Sequence, residues 1–151
     1  MDISIIIFLL GGLFLGWSLG ANDAANVFGT AVGTRMVRFK TAAIVCSIFV
    51  ILGAIISGSG TTETLGKLGA INALPGAFAA CVAAGLSVYL MTKAGLPVST
   101  TQAIVGAIVG WNLYTGSDTN IRVLITILGT WVLCPVIAGV IAMGFFTITK
   151  K

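Results

Sequence analysis

The chain alternates between long apolar runs and short polar breaks. Five runs stand out, at about 3–33, 41–57, 75–94, 98–114 and 121–148. Their lengths lie near or above the roughly 20 residues an α-helix needs to cross a bilayer core. None shows the ten-residue apolar–polar alternation of a membrane barrel strand, so the runs are predicted as helices. The breaks are short except for 58–74, GSGTTETLGKLGAINAL, whose glycines and threonines predict a connector. The expected fold is all-α: a polytopic membrane protein of about five transmembrane segments, forming a single transmembrane domain over 1–151. Two runs are rich in small residues, GAFAACVAAG at 76–85 and the G-x-x-x-G of Gly106 and Gly110. Small faces let helix backbones approach closely in lipid, so the third and fourth segments are expected inside the bundle.

Composition removes other classes. Of the 151 residues, 58% are apolar and only 8% are charged, against about a quarter in a soluble domain. The mean hydropathy is +1.12. The net charge of +4 comes from eight scattered cations that make no basic stripe, so no nucleic-acid partner is expected. There is no histidine, hence neither the usual general base nor the usual transition-metal ligand. No nucleophile is paired with a base, and the chain is not expected to be an enzyme. Cys46, Cys81 and Cys134 sit singly in apolar runs and match neither a disulfide framework nor a zinc spacing. The first apolar run starts at Ile3 behind Asp2, with no basic leader and no A-x-A site. It reads as a retained first span.

Charge sets an orientation. The first connector holds Arg35, Arg38 and Lys40, the third junction Lys93, and the C-terminus Lys150 and Lys151. With five crossings, these six fall on one side, against Lys67 and Arg122 on the other. The positive-inside rule then places the N-terminus out and the C-terminus in.

Polar residues within apolar runs carry the candidate chemistry. Asp23 lies in WSLGANDAANVFGT, flanked by Asn22 and Asn26. An Asp near a helix centre costs roughly 2.5–3.5 kcal/mol on insertion scales. Such residues usually face a water-filled cavity and mark an ion or substrate path. A carboxylate with amide oxygens suits Na⁺ or a proton. Gly20 is where this helix could break. The structural alternative is Asp23 as the cap of a helix starting at Ala24.

The second cluster is GLPVSTTQA at 95–103. Pro97 disfavours helix at Leu96, and Ser99 and Gln102 fit a capping box opening the next helix. That geometry is structural by itself. It also presents backbone N–H groups and three hydroxyls to an oxyanion, as broken helices do in transporters.

At these two motifs the chain resembles the inorganic phosphate transporter (PiT) family of sodium- or proton-coupled phosphate symporters. GANDAANVFGTAVG at 20–33 is similar to that family's signature, and PVSTTQAIVGAIVG at 97–110 to its partner motif. The resemblance implies cation-coupled (Na⁺ or H⁺) transport of inorganic phosphate in the cell membrane, with no cofactor besides the coupling ion. It implies an inverted-repeat fold with a broken helix or re-entrant hairpin. Carried over residue by residue, Asp23, Asn26, Ser99, Thr100 and Thr101 contact phosphate, and Asn22, Asp23 and Gln102 contact Na⁺. The family has two Asn-Asp motifs, one per half. This chain has one, since Asn72, Asn112 and Asn120 stand in other contexts. It looks like the N-terminal half only, which implies as partner a second half-transporter chain or a second copy in a homodimer. A sulfate permease, sharing the oxyanion chemistry, and a structural or regulatory membrane subunit without transport are the alternatives.

Overall fold

Apolar runs of this length pair their backbone groups internally, because hydrocarbon offers no other partner. The computed structural model describes residues 3–69 and 74–150; Asp2, Asn72 and Lys151 lie outside them. The described residues form five α-helices and no strand: α1 Ile3–Gly33, α2 Phe39–Leu68, α3 Leu74–Lys93, α4 Thr100–Thr115 and α5 Ile121–Thr149. Four of them, α1, α2, α3 and α5, are long and apolar enough to cross a membrane. The 16 residues of α4 reach only about 24 Å.

The second helix outruns its apolar stretch. Residues 58–68, expected as connector, continue α2. The hydroxyls of Thr62 and Thr64 donate to the carbonyls of Gly58 and Gly60, at 3.0 and 2.9 Å, and so stay inside the helix. Glu63 and Lys67 pair one turn apart on its surface.

Close contact, rather than long side chains, joins α1 to α3. A Cβ at Gly11 would lie 2.7 Å from the Phe78 ring and 3.1 Å from its carbonyl, and one at Gly85 would lie 2.8 Å from the Phe14 ring. Further along, Asn22 meets Thr92. The contacts advance together along both helices, which therefore run parallel. Gly95, at φ 72°, ends α3, and the Leu96 N–H returns to the Met91 carbonyl at 3.0 Å. Pro97 prevents the helix from resuming at once. The chain then reverses into α4, which runs back along α3 until Trp111 lies against Gly76. Thus α3 and α4 form a hairpin whose tip, 94–99, is level with Asn22 and Asp23.

The root of the hairpin is tied to the end of α2. Asn112 is fully buried against Gly69, and the Asn120 N–H donates to the Leu68 carbonyl at 3.0 Å. A small core of Leu68, Ala80, Val105, Ile108 and Ile127 joins the helices, and α5 packs on it through Val123, Leu124, Ile127 and Trp131. Cys46 and Cys81 are half-buried and Cys134 is exposed, and all three are free thiols.

One expectation needs correction. The third segment is interior, but the G-x-x-x-G of α4 makes no contact among the described residues: Gly106 and Gly110 have nothing within 4 Å of a Cβ. The inward face of α4 is Val105, Ile108 and Asn112, so those glycines point out. Lys93 has a depth of its own. It follows Thr92 at the hairpin tip, and α1 continues eleven residues past Asn22 to Gly33, about 16 Å further. Lys93 therefore stands well short of Arg35, Arg38 and Lys40.

The α1–α3 contact can be tested with neighbouring glycines. Gly11→Val should destabilise the detergent-solubilised protein by about 1–3 kcal/mol through overpacking. Gly12→Val, where nothing lies within 4 Å, should leave the thermal unfolding midpoint close to wild type. Equal shifts for both variants would refute the close contact.

Candidate functional site

The α1 helix runs unbroken through Gly20, Asn22 and Asp23. The break expected at Gly20 is absent, and so is the helix start that would make Asp23 a cap. The polar side chains are satisfied across to the hairpin, so the helix keeps its own backbone bonds. The broken element is the hairpin, between Lys93 and Thr100.

Asn22 makes the central contacts. Its Nδ2 donates to the Val98 carbonyl at 2.6 Å and to Asp23 Oδ1 at 2.8 Å. Its Oδ1 accepts from the Thr92 hydroxyl at 3.3 Å. The Val98 carbonyl is available because Pro97 keeps the tip out of a helix. One side chain thus binds the end of α3, the tip and the neighbouring carboxylate. Asn22 is 4% exposed.

Asp23 is half-buried. Its Oδ1 also accepts from the Thr100 hydroxyl at 3.2 Å, which joins α1 to the first residue of α4. Ser99 is the N-cap of α4, its hydroxyl accepting from the Gln102 N–H at 3.3 Å. The positive end of the α4 dipole and its unpaired N–H groups are therefore held beside the Asp23 carboxylate. Oδ2 of Asp23 has no hydrogen-bond partner among the described residues.

The candidate residues divide between two sides of α1. Asp23 lines a groove of about 900 Å³ between α1 and α2, whose wall mixes small residues such as Gly16, Gly20 and Ala42 with larger apolar ones such as Phe28, Val32 and Phe39. Asn22 and Asn26 line a smaller recess of about 200 Å³ against Thr92, Gly95, Leu96 and Pro97. Asn26, Thr101 and Gln102 are exposed. The structure thus brings Asn22, Asp23, Ser99 and Thr100 together, and sets Asn26, Thr101 and Gln102 around their edge. Thr92 and Val98 were not expected. Thr92 is legible as a polar residue one turn before a helix-ending glycine, whereas Val98 acts through its carbonyl, which no side-chain pattern displays. Among the described residues no three His, Cys, Asp or Glu side chains gather as a metal centre. The oxygens gathered here, from a carboxylate, an amide and hydroxyls, form a hard-oxygen set.

Residues 19–151 match the profile of the phosphate transporter family. The chain belongs to that family. The family's function is transport, not catalysis, and the chain is a multi-pass membrane protein. Its relatives include the "Putative phosphate permease" of Thermococcus kodakarensis, 34% identical over 100% of this chain and 40% of that protein. That of Haemophilus influenzae is 34% identical over 93% of this chain and 36% of its own length. A solved structure, "The sodium-dependent phosphate transporter", superposes with a TM-score of 0.87 at 32% identity, covering 95% of this chain and 38% of that one. The chain therefore spans about two fifths of the length of the curated relatives it matches.

If Asn22 pins the hairpin, Asn22→Leu should leave the Val98 carbonyl and the Thr92 hydroxyl unpaired, at a cost of about 1–3 kcal/mol. Proteolysis at the 94–97 tip of the solubilised protein should quicken several-fold while α1 and α2 stay intact. An unchanged cleavage rate would show that the tip is held by other contacts.

Proposed function

We propose that this chain is one half of a cation-coupled transporter of inorganic phosphate. The carrying observation is a half-buried carboxylate bonded to the first residue of a helix within an apolar bundle. A helix N-terminus with hydroxyls at Ser99, Thr100 and Thr101 supplies donors for an oxyanion. The Asp23 carboxylate beside it repels that same anion. A Na⁺ ion or a proton on Asp23 removes the repulsion. For Na⁺, the oxygens of Asp23, Asn22 and Gln102 are the ligands. Asn26 and Thr101 complete the phosphate contacts from the edge of the site.

Thr100 links the two ligands. Its hydroxyl has one proton, which it gives to Asp23 Oδ1. To donate to phosphate it must leave the carboxylate, and the carboxylate then needs a cation. Each ligand thereby favours the other, and the coupling is reciprocal. The name of the structural relative, a sodium-dependent transporter, supports Na⁺ as the coupling ion.

In the cell membrane α1, α2 and α5 cross, while the α3–α4 hairpin enters and returns on one side. The basic turn of Arg35, Arg38 and Lys40 lies in the cytoplasm, which puts the N-terminus out and the C-terminus in. The site is completed by a second half of opposite topology, joined to this chain or separate, or supplied by a second copy. The groove between α1 and α2, where Gly16, Gly20 and Gly29 leave room for a close approach, is its seat.

Three measurements bear on this reading. Asp23→Asn should abolish cation-driven phosphate uptake while the protein still inserts, and Thr100→Val should weaken phosphate binding by about 1–3 kcal/mol. Normal cation-dependent uptake by the Asp23 variant would remove the site. The 151-residue chain reconstituted alone should take up no phosphate, and co-expression with a complementary half should restore it. Robust uptake by the single chain in one orientation would overturn the half-transporter assignment.

A further inference from the structure

The smaller recess, of about 200 Å³ between α1 and the hairpin tip, is walled by groups whose hydrogen-bond donors are almost all spent. Asn22 has two N–H groups, and both go elsewhere, to the Val98 carbonyl and to Asp23 Oδ1. Those partners can only accept, so the orientation of the amide is fixed and its oxygen is what remains. The Thr92 hydroxyl gives its one proton to that oxygen, which leaves the lone pairs of Thr92 Oγ1 uncommitted. In the tip, the Gly95 N–H donates to the Thr92 carbonyl and the Leu96 N–H to the Met91 carbonyl, both at 3.0 Å. Pro97 has no N–H. The N–H groups of α1 are spent inside an unbroken helix. One amide keeps free donors, that of Asn26, and it is exposed.

We infer that this recess binds a small monovalent cation, with Thr92 Oγ1, the Asn26 amide oxygen and carbonyls of the tip as its ligands. The site lies apart from the Asp23 groove, and it rests on the transport reading above only for the ion's part in transport. Thr92 belongs to neither sequence motif. The Asn26 amide has an oxygen to give here and N–H groups to spare for phosphate.

The electrostatics of the recess favour positive charge. Thr92 and Gly95 place it at the C-terminal end of α3, the negative end of the helix dipole. Broken helices in transporters offer such ends, and unwound carbonyls, to Na⁺. The Asp23 carboxylate is one hydrogen bond away and polarises the Asn22 amide. Lys93, next in sequence to Thr92, is drawn over the Tyr89 ring, its Nζ 5.9 Å from the ring centre. A divalent ion is normally held by carboxylates, and none is among the lining residues. The charge that fits is therefore +1.

The test is made on the detergent-solubilised protein without phosphate, with Tl⁺ and Na⁺ as probes. Crystals soaked in a thallous salt should show an anomalous peak in the recess, within ligand distance of Thr92 Oγ1. The wild type should melt at a higher temperature in Na⁺ than in choline. Thr92→Val should raise the Na⁺ concentration giving half of that effect about tenfold, and Thr92→Ser should keep it within about twofold of wild type. A purely structural Thr92 lowers the melting temperature equally in both salts and leaves the Na⁺ midpoint unmoved. That result overturns the site, and so does a Ser variant as impaired as the Val variant. A Tl⁺ peak confined to Asp23, or no peak, also overturns it and leaves the recess to water. Neither measurement involves uptake: a wild type that moves no phosphate would remove the transport reading, and the Tl⁺ peak would still decide the recess.

Discussion

The buried carboxamide of Asn22 is the contact on which the rest of the arrangement depends. It lies in the middle of an apolar helix, where an unsatisfied amide is costly. Three partners from outside its own helical ladder satisfy it: the Thr92 hydroxyl, the Val98 carbonyl and the Asp23 carboxylate. Meeting those demands fixes the end of α3 and the tip of the hairpin against α1. The N-terminus of α4 then falls beside Asp23, because Thr100 is two residues beyond Val98. The functional geometry is in this sense a by-product of satisfying one side chain in a dry place.

The hairpin can be held there only because α1 and α3 approach closely. Gly11 and Gly85 leave room for the Phe78 and Phe14 rings where any larger residue would intrude. Dispersion and interhelical hydrogen bonds, not expulsion of water, hold helices together in lipid. A loss of contact at Gly11 or Gly85 would therefore not be compensated by a hydrophobic force elsewhere. The aromatic series Phe14, Trp17 and Tyr89 continues along the same seam to Lys93.

Other small-residue faces have no partner among the described residues. Gly16, Gly20 and Gly29 of α1 are open toward the groove beside α2, and Gly106 and Gly110 of α4 are open outward. Exposed leucines and isoleucines are at ease in lipid and say nothing about partners. An apolar groove with a carboxylate in its wall is different, since lipid gives that carboxylate no partner. The relatives, with about two and a half times the length of this chain by the shares matched, have ample sequence to fill it.

The sequence determined the membrane class, the five helices and the two polar clusters, because each is a local property. Hydropathy is read over one segment, Gly95 and Pro97 end a helix where they stand, and Ser99 caps the helix that follows it. Asp23 is conspicuous in an apolar run whatever surrounds it. The continuation of α2 to Leu68 was hidden because threonine hydroxyls can serve a loop or fold back on a helix, and only the surroundings choose. The pairing of the clusters was decided by tertiary structure alone. Thr100, rather than Ser99 or Thr101, meets Asp23, and Asn26 faces away from it, because the depth at which the hairpin docks sets which turn of α4 meets which turn of α1. That depth depends on where glycines let two helices touch and where one buried amide finds its partners. Both are contacts between residues some seventy positions apart, beyond the reach of any pattern along the chain.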